Sequence, residues 1–462
     1  MTRYSPLPFA CAVLGGLALL VAGSRAQVPP APQTPPASQQ SEVELTITGE
    51  PGTPPRLAVP DFIPLGSDPD TVAAAKLMGQ VLWDDLDFER EFLLVPRDTY
   101  ASIPPATSFT DVPLDRWREL GADGVVVGTV RRAGNTIVVQ VRLFDVKSRR
   151  SAFGREYSGG PQSARLYAHT AADEIHKQQR GLRGVARTRL TFSSDRDGGR
   201  TSGVGGARTA KEVYIADYDG ANQRRLTVNR TLNIFPVWSS DGRSIAYTSY
   251  RRGFPDVFVS HIFQGTFETP AGGDARVHNW LASWSPDGSR IAFTSNRDGN
   301  AELYVVNTDG SGLRRLTNHP AVDTTPTWSP AGNEIAFTSD RSGPPQIYVV
   351  PADGLGTPRR ITTESYADRP TWAPAPYNEI AFAARTGRGY DIRIYEVASG
   401  ETRQVTFGEG SNESPAYAPN GRHIAFTSTR KGKSHIFIIG RDGRGLRQIT
   451  TSGNNFTPDW SR

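Results

Sequence analysis

The chain has 462 residues, of which 37% are hydrophobic and 21% are charged. This balance is typical of a globular protein with room for two or more domains, and it excludes a chain that is disordered or embedded in a membrane throughout. The net charge of +5 comes mainly from arginines scattered along the sequence rather than from one block. A scattered basic excess favours solubility, so it does not predict nucleic-acid binding.

The first 26 residues have the pattern of a secretory signal. Arg3 precedes an apolar run at 9–21, and small residues end the segment at Ala26. Because this run is too short for a stable membrane span, we predict cleavage after about Ala26 and export, with an uncleaved anchor as the alternative. Cys11 is the single cysteine, so the mature chain is expected to have no disulfide and no thiolate metal site.

Two short segments follow the signal. Residues 27–41 are rich in proline, glutamine and alanine, which predicts an extended, solvated tether. Residues 42–48 read EVELTIT and alternate polar and apolar side chains. This alternation predicts a half-buried strand, or a strand added to the sheet of another protein.

Mixed strand and helix patterns over 42–185 predict one α/β domain. Its longest helix is expected at about 70–86, where apolar residues recur at helical spacing, with Asp70 or Ser67 as its N-cap. The other predicted elements are strands at 56–62, 92–95, 124–130 and 136–144, and helices at 114–120 and 163–179.

From 186 to 462 the sequence repeats with a period of about 44 residues. The clearest units begin WSPDGSRIAFTS at Trp284 and WSPAGNEIAFTS at Trp328. Each unit contains four short β-rich runs separated by turn dipeptides, which predicts one four-stranded propeller blade per repeat. The inner aromatic residue recurs six times and so predicts six blades: Trp238, Trp284, Trp328, Trp372, Tyr417 and Trp460.

The two ends of the repeat array are half-blades. The array begins with a second strand near Leu190 and ends with an aromatic strand at 456–460. We expect these strands to pair, because pairing closes the ring and removes two exposed edges. The unit between Ile245 and Trp284 departs from the pattern, since HIFQGTFETPAGGD replaces the Asp-Gly turn and the Arg-Arg-Leu-Thr ending, so its outer strand is the weakest prediction.

The sequence lacks the motifs of the common hydrolases and nucleotide-binding enzymes, namely G-x-S-x-G, H-E-x-x-H and the Walker loop. Asp241, Asp287, Asp309, Asp353 and Asp442 each precede glycine, so turn chemistry explains them better than calcium binding. We therefore predict a binding protein with no catalytic residue, no metal and no cofactor. Two alternatives stay open: a propeller that senses cell-wall ligands, and a peptidase-type propeller whose hydrolase is a separate chain.

Several segments together resemble the TolB family of the Tol-Pal envelope system. They are PRLAVPDF at 55–62, LGADGVVVGTV at 120–130, and AHTAADEI at 168–175 leading through GVARTR into the repeats. The resemblance implies a periplasmic, non-enzymatic adaptor that binds the lipoprotein Pal at one mouth of the propeller and TolA through its N-terminal segment. It also implies a role in outer-membrane integrity and in envelope constriction at cell division. We expect a monomer without a membrane span.

The resemblance also indicates candidate contact residues. The proline-rich tether before the TolA-contacting segment departs from the family pattern, in which that segment comes first. The stretch expected to contact TolA is Glu42, Val43, Glu44, Leu45, Thr46 and Ile47. The positions expected to contact Pal, just before three inner strands, are His278, Asn279, Thr324, Thr325, Asp368 and Arg369.

Overall fold

The computed structural model describes residues 45–49, 53–201 and 209–462. The predicted signal, the predicted tether and the positions of Glu42, Val43 and Glu44 lie outside these residues. Within the described ranges, no helix combines the length and the apolarity that crossing a membrane requires.

The α/β domain is a mixed sheet in the order β3-β1-β4-β5-β6, with β2 paired to β4. Helices α1 and α3 pack on one face of this sheet. The opposite face is covered by helix α2 and the loop before it. The strands are β1 Arg56–Ala58, β2 Ile63–Pro64, β3 Leu93–Leu94, β4 Gly124–Ala133, β5 Thr136–Asp145 and β6 Ser151–Gly159; the helices are α1 Pro69–Glu89, α2 Leu114–Glu119 and α3 Ala164–Arg180, with short 3-10 turns at Arg97–Ser102 and Pro161–Ser163.

Three details differ from the sequence-based expectations. The cap of α1 is Asp68, whose carboxylate accepts the amide of Thr71 at 3.1 Å, rather than Asp70 or Ser67. The strand expected at 56–62 ends at Ala58, since Pro60 has no amide hydrogen to donate to a sheet, and a separate strand begins only at Ile63. The strand β6 was not predicted, although it pairs along most of β5.

The second domain is a six-bladed propeller, as predicted, built from six four-stranded antiparallel sheets. We number the blades by their inner strands in ring order from the strand at the chain terminus. The inner strands of blades 1 to 6 are Asn455–Trp460, Asn233–Trp238, Asn279–Trp284, Asp323–Trp328, Ala367–Trp372 and Asn412–Tyr417. The second strands are Arg189–Ser194, Ser244–Ser249, Arg290–Ser295, Glu334–Ser339, Glu379–Thr386 and His423–Ser428.

The third and outer strands complete each blade. In blade 2 the outer strand is present despite its unusual sequence. The third strands are Glu212–Asp217, Asp256–His261, Glu302–Asn307, Gln346–Pro351, Gly389–Glu396 and His435–Gly440. The outer strands are Arg224–Arg225, Thr266–Glu268, Arg314–Arg315, Arg359–Arg360, Thr402–Gln404 and Arg447–Gln448.

Blade 1 closes the ring with strands from both ends of the repeat array. Trp460 is paired with Leu190, and Asn455 is paired with Ser194. The indole of Trp460 is 3% exposed and donates to the hydroxyl of Thr188 at 2.7 Å. The expected pairing of the two half-blades is thus confirmed, and it joins the start of the propeller to its last strand.

The α/β domain and the propeller belong to one compact unit. The end of α1 lies against blade 6, where the carboxylate of Glu89 contacts the guanidinium of Arg422 and the amide of Asn420. The same carboxylate accepts the backbone amide of Val185 at 2.8 Å. This buried acid therefore ties α1, the linker and blade 6 together.

A second buried network joins α1 and α3 to blade 1. The carboxylate of Asp85 accepts the hydroxyl of Tyr218 at 2.6 Å and lies 2.8 Å from the Nδ1 atom of His169. Next to it, the ring of Phe88 stacks on that of His423 with centroids 4.5 Å apart. Because these polar groups are buried, loss of any one partner leaves the others unsatisfied, which favours a fixed domain arrangement.

We expect the substitution Trp460→Ala to lower the free energy of unfolding by about 3–5 kcal/mol, since it removes a buried indole at the closing strand. Urea unfolding followed by circular dichroism measures this change. The nearby exposed Thr451 supplies a control, because Thr451→Ala should alter stability by less than about 0.5 kcal/mol. Equal effects of the two substitutions would contradict the role of closure.

We expect His423 to contribute a loss of stability at the domain boundary in acid. Burial, followed by the charge of Arg422, lowers the pKa of His423 to about 3. Between pH 6.5 and 3 the unfolded chain therefore holds a proton here that the folded protein lacks, so stability falls as pH falls, by about 1.4 kcal/mol per pH unit. His423→Gln should give a correspondingly flatter dependence of the unfolding free energy on pH from 6.5 to 4.5, and parallel curves would disprove this assignment.

Candidate functional site: the free opening and the docked segment

Each inner strand carries a bulge at the same place. The pairing with the second strand shifts register there in all six blades. The residue at the bulge has φ between 50° and 58°, a conformation that costs free energy for side chains other than glycine. The six bulge residues, in order along the chain, are Phe235, Leu281, Thr325, Arg369, Ser414 and Thr457.

The bulge residues line one opening of the central channel, with a volume of about 140 Å³. Five of the six are followed by proline, so the lining is largely apolar. Arg369 of blade 5 is the charged residue among the six. Its guanidinium lies 4.6 Å from the centre of the Phe235 ring in blade 2. Blades 2 and 5 are opposite each other in a ring of six, so this cation–π contact crosses the opening.

The described residues of the α/β domain leave this opening uncovered. Its contacts through Glu89 and Phe88 reach Arg422 and His423, which follow the far end of the inner strand in blade 6. The bulges lie near the beginning of each inner strand, at the other end of the channel. We call the opening lined by the six bulge residues the free opening.

Three of the predicted Pal-contacting residues lie together at the rim of the free opening. Thr325 donates to the hydroxyl of Thr338 at 2.7 Å, and that hydroxyl donates to the carboxylate of Asp368 at 2.9 Å. Arg369 follows directly and is also in contact with Thr338 through its backbone amide. Thr324, Thr325, Asp368 and Arg369 were expected before their inner strands, but they lie within the strands, beside the bulge.

His278 and Asn279 have different surroundings. His278 precedes its inner strand, as expected, is half-buried and stacks on Phe254. Asn279 is 0% exposed and bonds the carboxylate of Asp256 and the guanidinium of Arg297. In this arrangement Asn279 supports its blade and presents no surface to a partner.

The described part of the predicted TolA-contacting segment lies against α3. The side-chain amide of Gln179 accepts the backbone amide of Ile47 at 2.8 Å and donates to the carbonyl of Leu45 at 3.1 Å. Ile47 is 2% exposed in the core of the α/β domain, whereas Thr46 is exposed. Residues 45–49 are not part of any strand, so this segment is docked by one side chain rather than by a sheet.

Four residues of the free opening were not among the sequence-based candidates: Phe235, Leu281, Ser414 and Thr457. A sequence signal for them exists. Five of the six inner strands contain proline two residues before the inner aromatic residue, and the bulge residue stands just before that proline. Proline cannot donate a ladder hydrogen bond, so its recurrence at one strand position predicts a bulge.

Two family models match the chain. The TolB amino-terminal domain matches residues 43–152, and the TolB beta propeller domain matches residues 177–462. Each lies over one of the two domains in the structure.

Curated relatives and a solved structure agree with this assignment. A Tol-Pal system protein TolB of Bordetella pertussis is 32% identical over 428 residues, which cover 92% of each chain. A TolB of Desulfosudis oleivorans is 36% identical over 266 residues, which cover 56% of this chain and 57% of that protein.

The crystal structure of TolB from Acinetobacter baumannii superposes with a TM-score of 0.74 at 23% identity, covering 88% of this chain and 97% of the other, and it supports the fold. With one family model over the propeller and another over the α/β domain, this chain belongs to the TolB family.

Proposed function

We propose that this chain is a periplasmic, non-enzymatic adaptor of a Tol-Pal system, which binds Pal at the free opening and TolA through its N-terminal segment. The observation that carries the proposal is that both domains match TolB family models while one opening of the propeller is left uncovered. In this role the protein supports outer-membrane integrity and envelope constriction at cell division.

The free opening has the properties of a protein-binding surface. Its lining mixes apolar residues with serines and threonines, and it is rigid because prolines and strained bulges fix the backbone. Arg369 adds one cation at its centre, where arginine and aromatic residues commonly dominate binding energy. The hydroxyls and carboxylate around Thr338 form a polar rim beside this centre.

The docked segment supports a switch in TolA binding. Ile47 and Leu45 cannot contact TolA while they are held against α3, so TolA binds the undocked form of the segment. The two hydrogen bonds of Gln179 and the buried side chain of Ile47 favour the docked form. TolA affinity therefore depends on how strongly the segment is docked.

We expect Arg369→Glu to weaken Pal binding by about 30-fold, equivalent to about 2 kcal/mol, because it reverses the charge at the centre of the free opening. Isothermal titration calorimetry with purified Pal measures the change. Lys147→Glu makes the same change of charge on an exposed turn of the α/β domain and should leave affinity unaltered. Wild-type affinity of the Arg369→Glu variant would place the Pal site elsewhere.

Gln179→Ala should raise TolA affinity by about 5- to 30-fold, since it removes two hydrogen bonds worth about 1 kcal/mol each from the docked form. Fluorescence anisotropy with the labelled TolA domain measures this. The adjacent Gln178 bonds the carbonyl of Ala152 instead, so Gln178→Ala is the matched control. A loss of TolA affinity in the Gln179→Ala variant would show that docking is not the competing state.

A further inference from the structure

One position of the outer strand carries arginine in five of the six blades. In each of these blades the arginine pairs with a valine or isoleucine at the equivalent position of the third strand. In blade 3, Arg314 donates to the carbonyl of Ala352 in blade 4 at 2.8 Å. In blade 5, Arg403 donates to the carbonyl of Arg441 in blade 6. The repeated arginines are Arg224, Arg314, Arg359, Arg403 and Arg447.

Blade 2 has Glu268 at this position, paired with Val259. The charge is therefore reversed where the repeat otherwise places a guanidinium. The carbonyl that accepts from Arg314 belongs to a turn that follows the third strand of blade 4. The equivalent turn of blade 3, which faces blade 2, contains Thr308 and Asp309. Among the described residues, no arginine side chain donates to this turn.

The residue that begins the second strand differs from blade to blade: it is Arg189, Ser244, Arg290, Glu334, Glu379 and His423 in blades 1 to 6. In blade 3, Arg290 begins the second strand, and its guanidinium lies 4.8 Å from the ring centre of Trp328 in blade 4. The equivalent residue of blade 2 is Ser244, which is too short to cover Trp284 in blade 3. Trp284 is half-buried, whereas the other five inner aromatic residues are buried.

A cavity of about 630 Å³ lies beside these two positions, between blades 2 and 3. Trp284 and Ser244 lie inside it, and its carboxylates are Asp241, Asp287, Asp309 and Glu268. Hydrogen bonds from Ser285 lower the pKa of Asp287 to about 2, and those from Ser311 lower the pKa of Asp309. The basic lining residues are Arg243 and His261, the latter 3.2 Å from the carboxylate of Glu268.

We propose that this cavity binds the arginine side chain of a basic segment of a partner protein. An arginine combines a flat cation, which stacks on tryptophan, with donors that match carboxylates, whereas lysine is a compact charge. The chain itself places guanidinium groups at both equivalent positions in other blades. The cavity is larger than one guanidinium and falls within the range of about 300–1,000 Å³ common for ligand sites, so residues flanking the arginine also fit.

The cavity is separate from the surfaces proposed for Pal and TolA. It lies where the inner strands end, at the opposite end of the channel from the free opening. Among the described residues, the hydrogen bonds of the α/β domain to Tyr218 and Arg422 reach blades 1 and 6 rather than blades 2 and 3. An arginine-bearing partner can therefore bind at the same time as both other proteins.

The test is calorimetric titration of the full chain with the peptide acetyl-Gly-Arg-Gly-Arg-Gly-amide and with its lysine counterpart. We expect the arginine peptide to bind, the lysine peptide to bind at least about fivefold more weakly, and Glu268→Arg to weaken arginine binding at least about tenfold. The side chain of Glu268 is 56% exposed, so this variant should fold; its melting temperature checks that. Ser244→Arg, which gives blade 2 the residue that blade 3 has as Arg290, should have the same effect.

Glu401→Arg is the matched control, because it makes the same charge change at an exposed turn of blade 5. Arginine binding should be unchanged in this variant. Equal loss in the Glu401→Arg and Glu268→Arg variants, equal binding of both peptides, or no binding of the arginine peptide would each overturn the proposal. Pal and TolA affinities of the Glu268→Arg variant should stay at wild-type values, which separates this test from that of the proposed function.

Discussion

The hydrogen bonding between Asn455–Trp460 and Arg189–Ser194 is the contact on which the rest of the structure depends. It closes the ring, and it also fixes the linker between the domains. Thr188 accepts the indole of Trp460, and three residues earlier the amide of Val185 donates to Glu89 at the end of α1. Closure of the propeller and docking of the α/β domain therefore share one short stretch of chain. A loss of closure should loosen the domain boundary as well as the ring.

A closed ring gives every blade the same backbone, and the chemistry then depends on which side chain occupies each repeated position. The bulge of the inner strand shows this. Its strained conformation occurs in all six blades, but of the six bulge residues only Arg369 is charged, and its guanidinium reaches Phe235. The strain is tolerated because the flanking ladder hydrogen bonds fix the strand on both sides of the bulge. Symmetric geometry thus supports an asymmetric surface.

The sequence was informative wherever a pattern repeats. The six inner aromatic residues predicted the blade number, because the same buried position must be filled alike in every blade. The second strand near Leu190, which has no inner strand before it in the sequence, predicted the closing pair. The strand Ser151–Gly159 was missed, since Gly154, Arg155 and Glu156 interrupt its alternation, although its pairing with β5 holds it in the sheet. The burial of Asn279 was not predicted, although the repeat carried a signal for it: the same position of four other inner strands is a buried Asn or Asp, namely Asn233, Asp323, Asn412 and Asn455.

The same reasoning shows why departures from the repeat deserve a functional interpretation. A residue that is changed in one blade can be compared with five internal references that have the same backbone. Glu268 stands where the other five blades have arginine, and Ser244 stands where blade 3 has Arg290 over the ring of Trp328. A single loss would only weaken the boundary between blades. Together the two differences from blade 3 leave Trp284 half-buried beside four carboxylates, in a cavity whose lining matches a guanidinium. Blade 3 shows why a guanidinium fits these positions, because it has its own guanidinium groups there, those of Arg290 and Arg314.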